Sequence, residues 1–397
     1  MLLNHYQSKI NINPKTKFFS SDLSFTYYVK ENKTTKLEFY LYKNFSLQSI
    51  QSDDILNYQL GEEIIDWCPS VLESKLLIIN LKRIYHKGEQ INVHMIYQGQ
   101  VDIVSKWEIN RITEPFIELS LYSPYFPLTK DLQLSTFSIE VNLPEDYYLI
   151  NGQKHIDYRR IEQREPTNDC TLIASNQFKQ IKTEDYLTVY YINNESKHVA
   201  KKINDDCLWL INYFTDAFTE TELSQELSIV ILPRKIGGAY CRPGLIVFPD
   251  MIDEDDVSIR FLAHEISHLW WNKSINTNSW EDWLNESFAE FSSLMVYRDH
   301  YGETKFNQLI AKYKEKAKNT PPIYKINRSD EAAHTVLYIK GAVILYQLEN
   351  KLGKERFIQF LKQVHQNKIK ETKQLLRLLA SIERKTYSKY INKALKE

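Results

Sequence analysis

The chain has 397 residues, 43% of them hydrophobic and 13% aromatic, more than one hydrophobic core usually organises, so two domains are expected. Lys and Arg (50) balance Asp and Glu (51), and no global field points to nucleic acid or an anionic membrane as partner. The four cysteines, Cys68, Cys170, Cys207 and Cys241, lack paired spacings, the N-terminus turns polar after two leucines, and no apolar run matches a membrane span; a reduced, cytoplasmic protein is the expectation.

From about residue 15 to 193 the pattern has period two and is rich in Tyr, Phe, Ile and Val, as in Lys36 to Tyr42, Ile91 to Tyr97 and Phe137 to Leu143. Turns such as Lys87-Gly88-Glu89 punctuate it, and the whole reads as an antiparallel β-sandwich. Near residue 195 the period changes to that of a helix, with Ala200, Ile203, Leu208, Ile211 and Phe214 on one face of Lys197 to Phe218. The expected division is therefore 1–194 and 195–397. Short buried strands follow at Leu227 to Pro233 and Leu245 to Phe248, separated by Gly237-Gly238.

Asp255 or Asp256 can cap a helix that runs through His264 and His268. Asn278 to Glu281 reads as a connection, and Trp283 to Tyr301 as the next helix, with Leu284, Phe288, Phe291 and Leu294 apolar. The basic stretch from Ala311 to Lys318 reads as a solvated helical face. Helices close the chain at 336–352, 354–366, 370–381 and 387–396.

One stretch carries chemistry. In His264-Glu265-Ile266-Ser267-His268, a helix puts two imidazoles four residues apart on one face, with Cβ atoms about 5–6 Å apart, so that both reach one ion. Glu265 flanks the ion without ligating it, where a general base can take a proton from the attacking water. A hydrolytic zinc site needs a third protein ligand and an open position. Glu286 and Glu290, on one face of the following helix, both offer a carboxylate. The alternative is a pair of histidines satisfied by hydrogen bonds in a core.

The same residues resemble the gluzincin metallopeptidases of the aminopeptidase N and leukotriene hydrolase family. His264 to His268 followed by Trp283-Leu284-Asn285-Glu286 is similar to their zinc motif, Gly237 to Ile246 to their glycine-rich substrate strand, and Tyr338-Ile339-Lys340-Gly341-Ala342 to their catalytic tyrosine motif. The resemblance implies a multidomain α and β protein, an N-terminal antiparallel β-sandwich followed by a thermolysin-like α+β peptidase domain. It implies that His264, His268 and Glu286 hold one zinc ion, that Glu265 is the base, and that Tyr338 donates to the oxyanion. Glu290 is then a partner of a ligand or a helix-surface acid. Gly237, Gly238, Ala239, Cys241 and Arg242 would line the substrate.

The chain departs from that family in three places. Seventeen residues separate His268 from Glu286, one fewer than usual, a change a loop around Asn276 to Ser279 can absorb. Cys241 stands where the family has the glutamate that grips the substrate's terminal ammonium, and a neutral thiol cannot form that pair. Arg242 beside it would repel an amine and favour acidic groups, or would simply face solvent. The chain also stops soon after Tyr338, without the family's large helical domain. The reading is a zinc peptidase acting on peptides or unstructured polypeptide, with endopeptidase character, such as processing of a leader or precursor peptide. The alternatives are an aminopeptidase that uses another acid and a catalytically inactive protein that binds zinc and peptide. Neither nucleic acid nor membrane is an expected partner.

Overall fold

The computed structural model describes residues 2–63, 73–102, 108–152, 159–219, 226–234, 238–250, 255–271, 279–383 and 385–397. Cys68, Gly237, most of the Asn276 to Ser279 loop and the side chains of Asp255 and Asp256 lie outside the described residues. The chain forms two compact units, Met1–Lys197 with Glu226–Met251, and His198–Gln225 with Ile252–Glu397.

The first unit is built of sheets. A six-stranded sheet runs in the order Arg160–Thr167, Ser135–Asn142, Asn4–Asn13, Phe18–Tyr28, Gln90–Gln100 and Ser46–Gln51. It is antiparallel except where Asn4–Asn13 lies parallel to Ser135–Asn142, a pairing whose long connection passes through the intervening strands. The alternation read in the sequence sends one face inward. Tyr6 stands opposite Phe25 on one neighbour and Phe137 on the other, and its ring lies 4.3 and 4.8 Å from theirs. A four-stranded sheet containing Thr34–Tyr42 and Ser74–Tyr85 adds Phe39, Tyr40, Leu77 and Ile79 to the same core.

A five-stranded sheet of the same unit crosses the division expected at residue 194. Its order is Lys179–Glu184, Leu187–Tyr191, Leu227–Leu232, Leu245–Pro249 and Tyr240–Arg242. The three central strands are parallel, and both outer pairings are antiparallel. Burial of the central strands explains why Leu245–Pro249 reads as an unbroken apolar run without alternation.

The second unit is helical: α1 (Lys197–Phe218), α2 (Asp255–Ser267), α3 (Trp283–Ala317), a π-helical turn (Thr335–Lys340), α4 (Gly341–Leu352), α5 (Lys354–Gln366), α6 (Thr372–Ile382) and α7 (Lys385–Ala394). Phe214 and Phe218 of α1 pack on Trp270, and Phe218 also meets Trp271, just after α2. The helix expected to end at Tyr301 does break there: Gly302 has non-helical backbone (φ 83°, ψ 166°), and a second helical segment of α3 runs on to Ala317. Only glycine adopts such angles without strain, so the two segments change direction there. Among the described residues no helix is long and apolar enough to cross a membrane.

Candidate metal centre

The α-helical hydrogen bonding of α2 ends at Ser267, so His268 sits in the closing turn, its amide donating to the carbonyl of Glu265 (3.2 Å). The two imidazoles remain neighbours, with ring centroids 4.9 Å apart. Glu286 enters from the first turns of α3, and Oε2 lies 3.4 Å from His264 Nε2 and 3.5 Å from His268 Nε2. His264, His268 and Glu286 form the candidate metal cluster among the described residues.

These separations suit an ion. Donors about 2.0–2.2 Å from a tetrahedral zinc lie about 3.4 Å from one another. Glu286 Oε2 is buried and has no hydrogen-bond partner, although a buried carboxylate oxygen ordinarily finds one. The other ring nitrogens are already engaged: His264 Nδ1 donates to Glu290 Oε2 (2.9 Å), and His268 Nδ1 donates to the carbonyl of Trp271 (3.1 Å). Both Nε2 lone pairs are thereby free to face Glu286.

The electrostatics favour a cation at the same point. Burial alone would depress the His264 pKa, but Glu286 and Glu290 raise it to about 10. Burial would raise Glu286, yet the two histidines hold it well below the usual carboxylate range. Glu290 is likewise brought down to about 2, against its burial, by His264, Arg260 and Tyr313.

Glu290 thus belongs to the site as the partner of a candidate ligand. Its Oε1 accepts from Arg260 Nη2 (2.6 Å) and from the Tyr313 hydroxyl. Glu265 is buried beside His264, and its charge reaches both imidazoles. Tyr338 lies on the π-helical turn, with its ring nearly parallel to His264 at 5.6 Å and to His334 at 4.3 Å. Burial first, and Glu286 second, push its phenol well above the ordinary value, so it keeps its proton. Ser287 fixes this turn by donating from Oγ to the Leu337 carbonyl.

Arg260, Tyr313 and His334 were not among the residues expected from the sequence. Arg260 stands one helical turn before His264 and His334 one turn before Tyr338, which is a usable signal. No local pattern marks Tyr313.

The proposed substrate strand belongs to the first unit. Tyr240–Arg242 pairs with Leu245–Pro249 and is the last strand of its sheet. The Gly238 carbonyl accepts from Nη1 of fully buried Arg234 (3.0 Å), and Ala239 follows. Cys241 is buried. Arg242 neither faces solvent nor waits for an acidic ligand: its Nε donates to buried Asp169 (2.7 Å) and its Nη1 to the Cys241 carbonyl (2.8 Å). A guanidinium so neutralised has little charge left to sort substrates, which corrects the expectation for this residue.

Two histidines from one helix and a glutamate from the next are the arrangement of the gluzincin class of metallopeptidases. The sequence profile of the peptidase family M1 domain matches residues 210–396. Leucine aminopeptidase 2 of Emericella nidulans is 27% identical over 180 residues, 40% of this chain and 29% of that protein. In fold, the chain is similar to an M1 zinc metallopeptidase from Deinococcus radiodurans (TM-score 0.69, 16% identity, 100% of this chain and 93% of that one). It is also similar to leukotriene A4 hydrolase of Saccharomyces cerevisiae (TM-score 0.74, 18% identity, 98% and 66%). Residues 210–396 thus carry a peptidase family M1 domain, and solved M1 zinc metallopeptidases share the fold of the chain. The chain's matched stretch spans 29% of the length of that curated relative.

Proposed function

We propose that the chain is a zinc-dependent peptidase that cleaves within peptides or unstructured polypeptide. The carrying observation is the orphaned Glu286 Oε2, at tetrahedral spacing from two imidazole nitrogens whose far sides are already hydrogen-bonded. His264, His268 and Glu286 would hold the ion. Zinc bound there would polarise the scissile carbonyl and acidify water in the open fourth position. Glu265 takes the proton from the attacking water and returns it to the leaving amine. Tyr338, protonated and buried, donates to the oxygen that gains charge.

Endopeptidase character is supported by the groups around Cys241. The strand Tyr240–Arg242 carries no carboxylate, and the two acids that its side chains meet are bound to them. Glu118 accepts from Tyr240 (3.0 Å) and faces Arg234 at 3.6 Å, while Asp169 holds Arg242. The second reading, an aminopeptidase with another acid for the ammonium, is favoured by the name of the Emericella relative. Among the described residues Cys170, Cys207 and Cys241 are buried thiols outside any disulfide, which suits a reducing compartment.

The test is digestion of a peptide library with free and acetylated N-termini by zinc-loaded protein and by Glu265→Gln. Internal cuts in acetylated peptides that vanish in the variant support the first reading. Stepwise loss of single residues from free amines alone supports the second. Zinc binding without any cleavage favours the inactive binding protein.

A further inference from the structure

The overall charge balance conceals a division. Residues 305–397 hold 21 Lys and Arg against 8 Asp and Glu, whereas residues 1–304 hold 29 against 43. Part of the excess converges on a groove of about 470 Å³ bounded by the turn Trp280–Asp282, Tyr324, α6 and the end of the chain. Trp280 and Tyr324 meet edge to face at 5.0 Å, and Leu376 continues the apolar floor. Lys373, Arg377 and Lys396 line the groove. The ammonium groups of Lys325 and Lys396 each lie 5.3 Å from the Tyr324 ring centre.

Among the described residues no ion pair engages Lys325, Lys373, Arg377 or Lys396. The one acid lining the groove among the described residues, Glu281, is already committed, because its Oε2 accepts from Thr372 N and Thr372 Oγ1, each at 2.7 Å. That contact also takes up the first amide of α6 and places a carboxylate at the helix N-terminus, where a phosphate would otherwise be favoured. What remains is an aromatic floor with side-chain cations spaced around it. This arrangement fits carboxylates alternating with apolar side chains better than one compact anion.

We propose that this groove is a docking site for acidic, apolar-rich polypeptide segments, holding substrate outside the cleavage site. The docking role rests on the peptidase reading; the binding itself does not. The turn Trp280–Asp282 leads directly into α3, so one continuous segment carries both the groove and Glu286.

Binding is tested by fluorescence anisotropy with full-length Glu265→Gln protein and a labelled peptide alternating Glu with Leu and Phe. Its counterpart has Lys in place of Glu. The acidic peptide should bind, with affinity that falls as salt rises and drops about tenfold or more in the Lys373→Glu/Arg377→Glu variant. The milder Lys373→Gln/Arg377→Gln variant should give an intermediate loss, with thermal unfolding as the check that both variants fold. In active protein, the same acidic segment appended to a cleavable peptide should lower KM at constant kcat. The double variant should erase that gain and still cleave the unextended peptide normally. Equal affinity for both peptides, equal affinity in wild type and charge-reversed protein, or binding of a nucleotide but not the acidic peptide would overturn the proposal. Binding without cleavage in any arm would keep the groove and remove the peptidase reading. Normal cleavage with no effect of the acidic segment on KM or anisotropy would do the reverse.

Discussion

Tyr313 donates its phenol hydrogen to the carboxylate of Glu290, although the two residues stand twenty-three positions apart on α3. A straight helix would separate them by about 34 Å. The turn at Gly302 folds the second half of α3 back, so that Tyr313 and Arg260 together hold the carboxylate that orients His264. Removing that carboxylate leaves the His264 ring free to rotate and to change tautomer. Glu290→Ala should weaken zinc binding about 10- to 100-fold, and Tyr313→Phe should weaken it less, as measured by competition with a chromophoric chelator. Unchanged affinity in both would mean that His264 needs no orienting partner.

Glu265 flanks the donor set without belonging to it. Glu265→Gln should therefore keep stoichiometric zinc and lower kcat by about 100- to 10,000-fold. Metal analysis and peptide turnover on the same preparation check both halves, and loss of zinc along with activity would assign Glu265 to the ligands.

Tyr338 is expected to act on the developing oxyanion. Tyr338→Phe keeps the ring that stacks on His264 and His334 but removes the proton donor. We expect kcat to fall by about 100- to 1,000-fold with KM little changed. A rise in KM at constant kcat would make Tyr338 a binding residue.

Gly341 allows α4 to approach α3. A Cβ there would lie 2.6 Å from Ser287 Cβ and collide with Ser287 Oγ, the atom that fixes the turn carrying Tyr338. Gly341→Ala should cost about 1–3 kcal/mol of stability and lower kcat through Tyr338, read from thermal unfolding and turnover. Ser287→Ala combined with it should recover part of the stability, because the clashing atom is gone.

Stability should fall in alkali. Tyr6, Tyr97 and Tyr125 are buried in the β-core, and burial is the leading cause that raises each phenol above its ordinary value near 10. A raised folded-state pKa gives stability that is complete below the unfolded value and is lost as pH rises past it. Each such tyrosine contributes a slope of up to about 1.4 kcal/mol per pH unit above pH ~10. Tyrosinate absorbance for these rings should appear together with unfolding, and early titration in the folded protein would show that water reaches them.

The site was legible in the sequence to the extent that it is local. His264, Glu265 and His268 share one short segment, so spacing alone groups them; both Glu286 and Glu290 follow on the next helix, and the family resemblance singled out Glu286. The role of Glu290 was legible only as one of two alternatives, and that of Arg242 was not. Each depends on which residue of another element meets it: His264, Arg260 and Tyr313 for the first, Asp169 for the second. The strands were readable from alternation, yet the five-stranded sheet crossing residue 194 was not, since a change of period marks a change of element and not the edge of a sheet.

By itself, then, the sequence determined the chemistry: two imidazoles one turn apart, a carboxylate beside them and another on the following helix, and alternating strands before a run of helices. Periodicity is written into the chain because side-chain direction repeats within each element. Only the tertiary structure decided that Glu290 orients His264, that Asp169 neutralises Arg242, and that cations dispersed from residue 325 to residue 396 gather around Trp280 and Tyr324. Those relations depend on packing between elements far apart in sequence, where a single glycine such as Gly302 redirects a helix and changes which side chains meet.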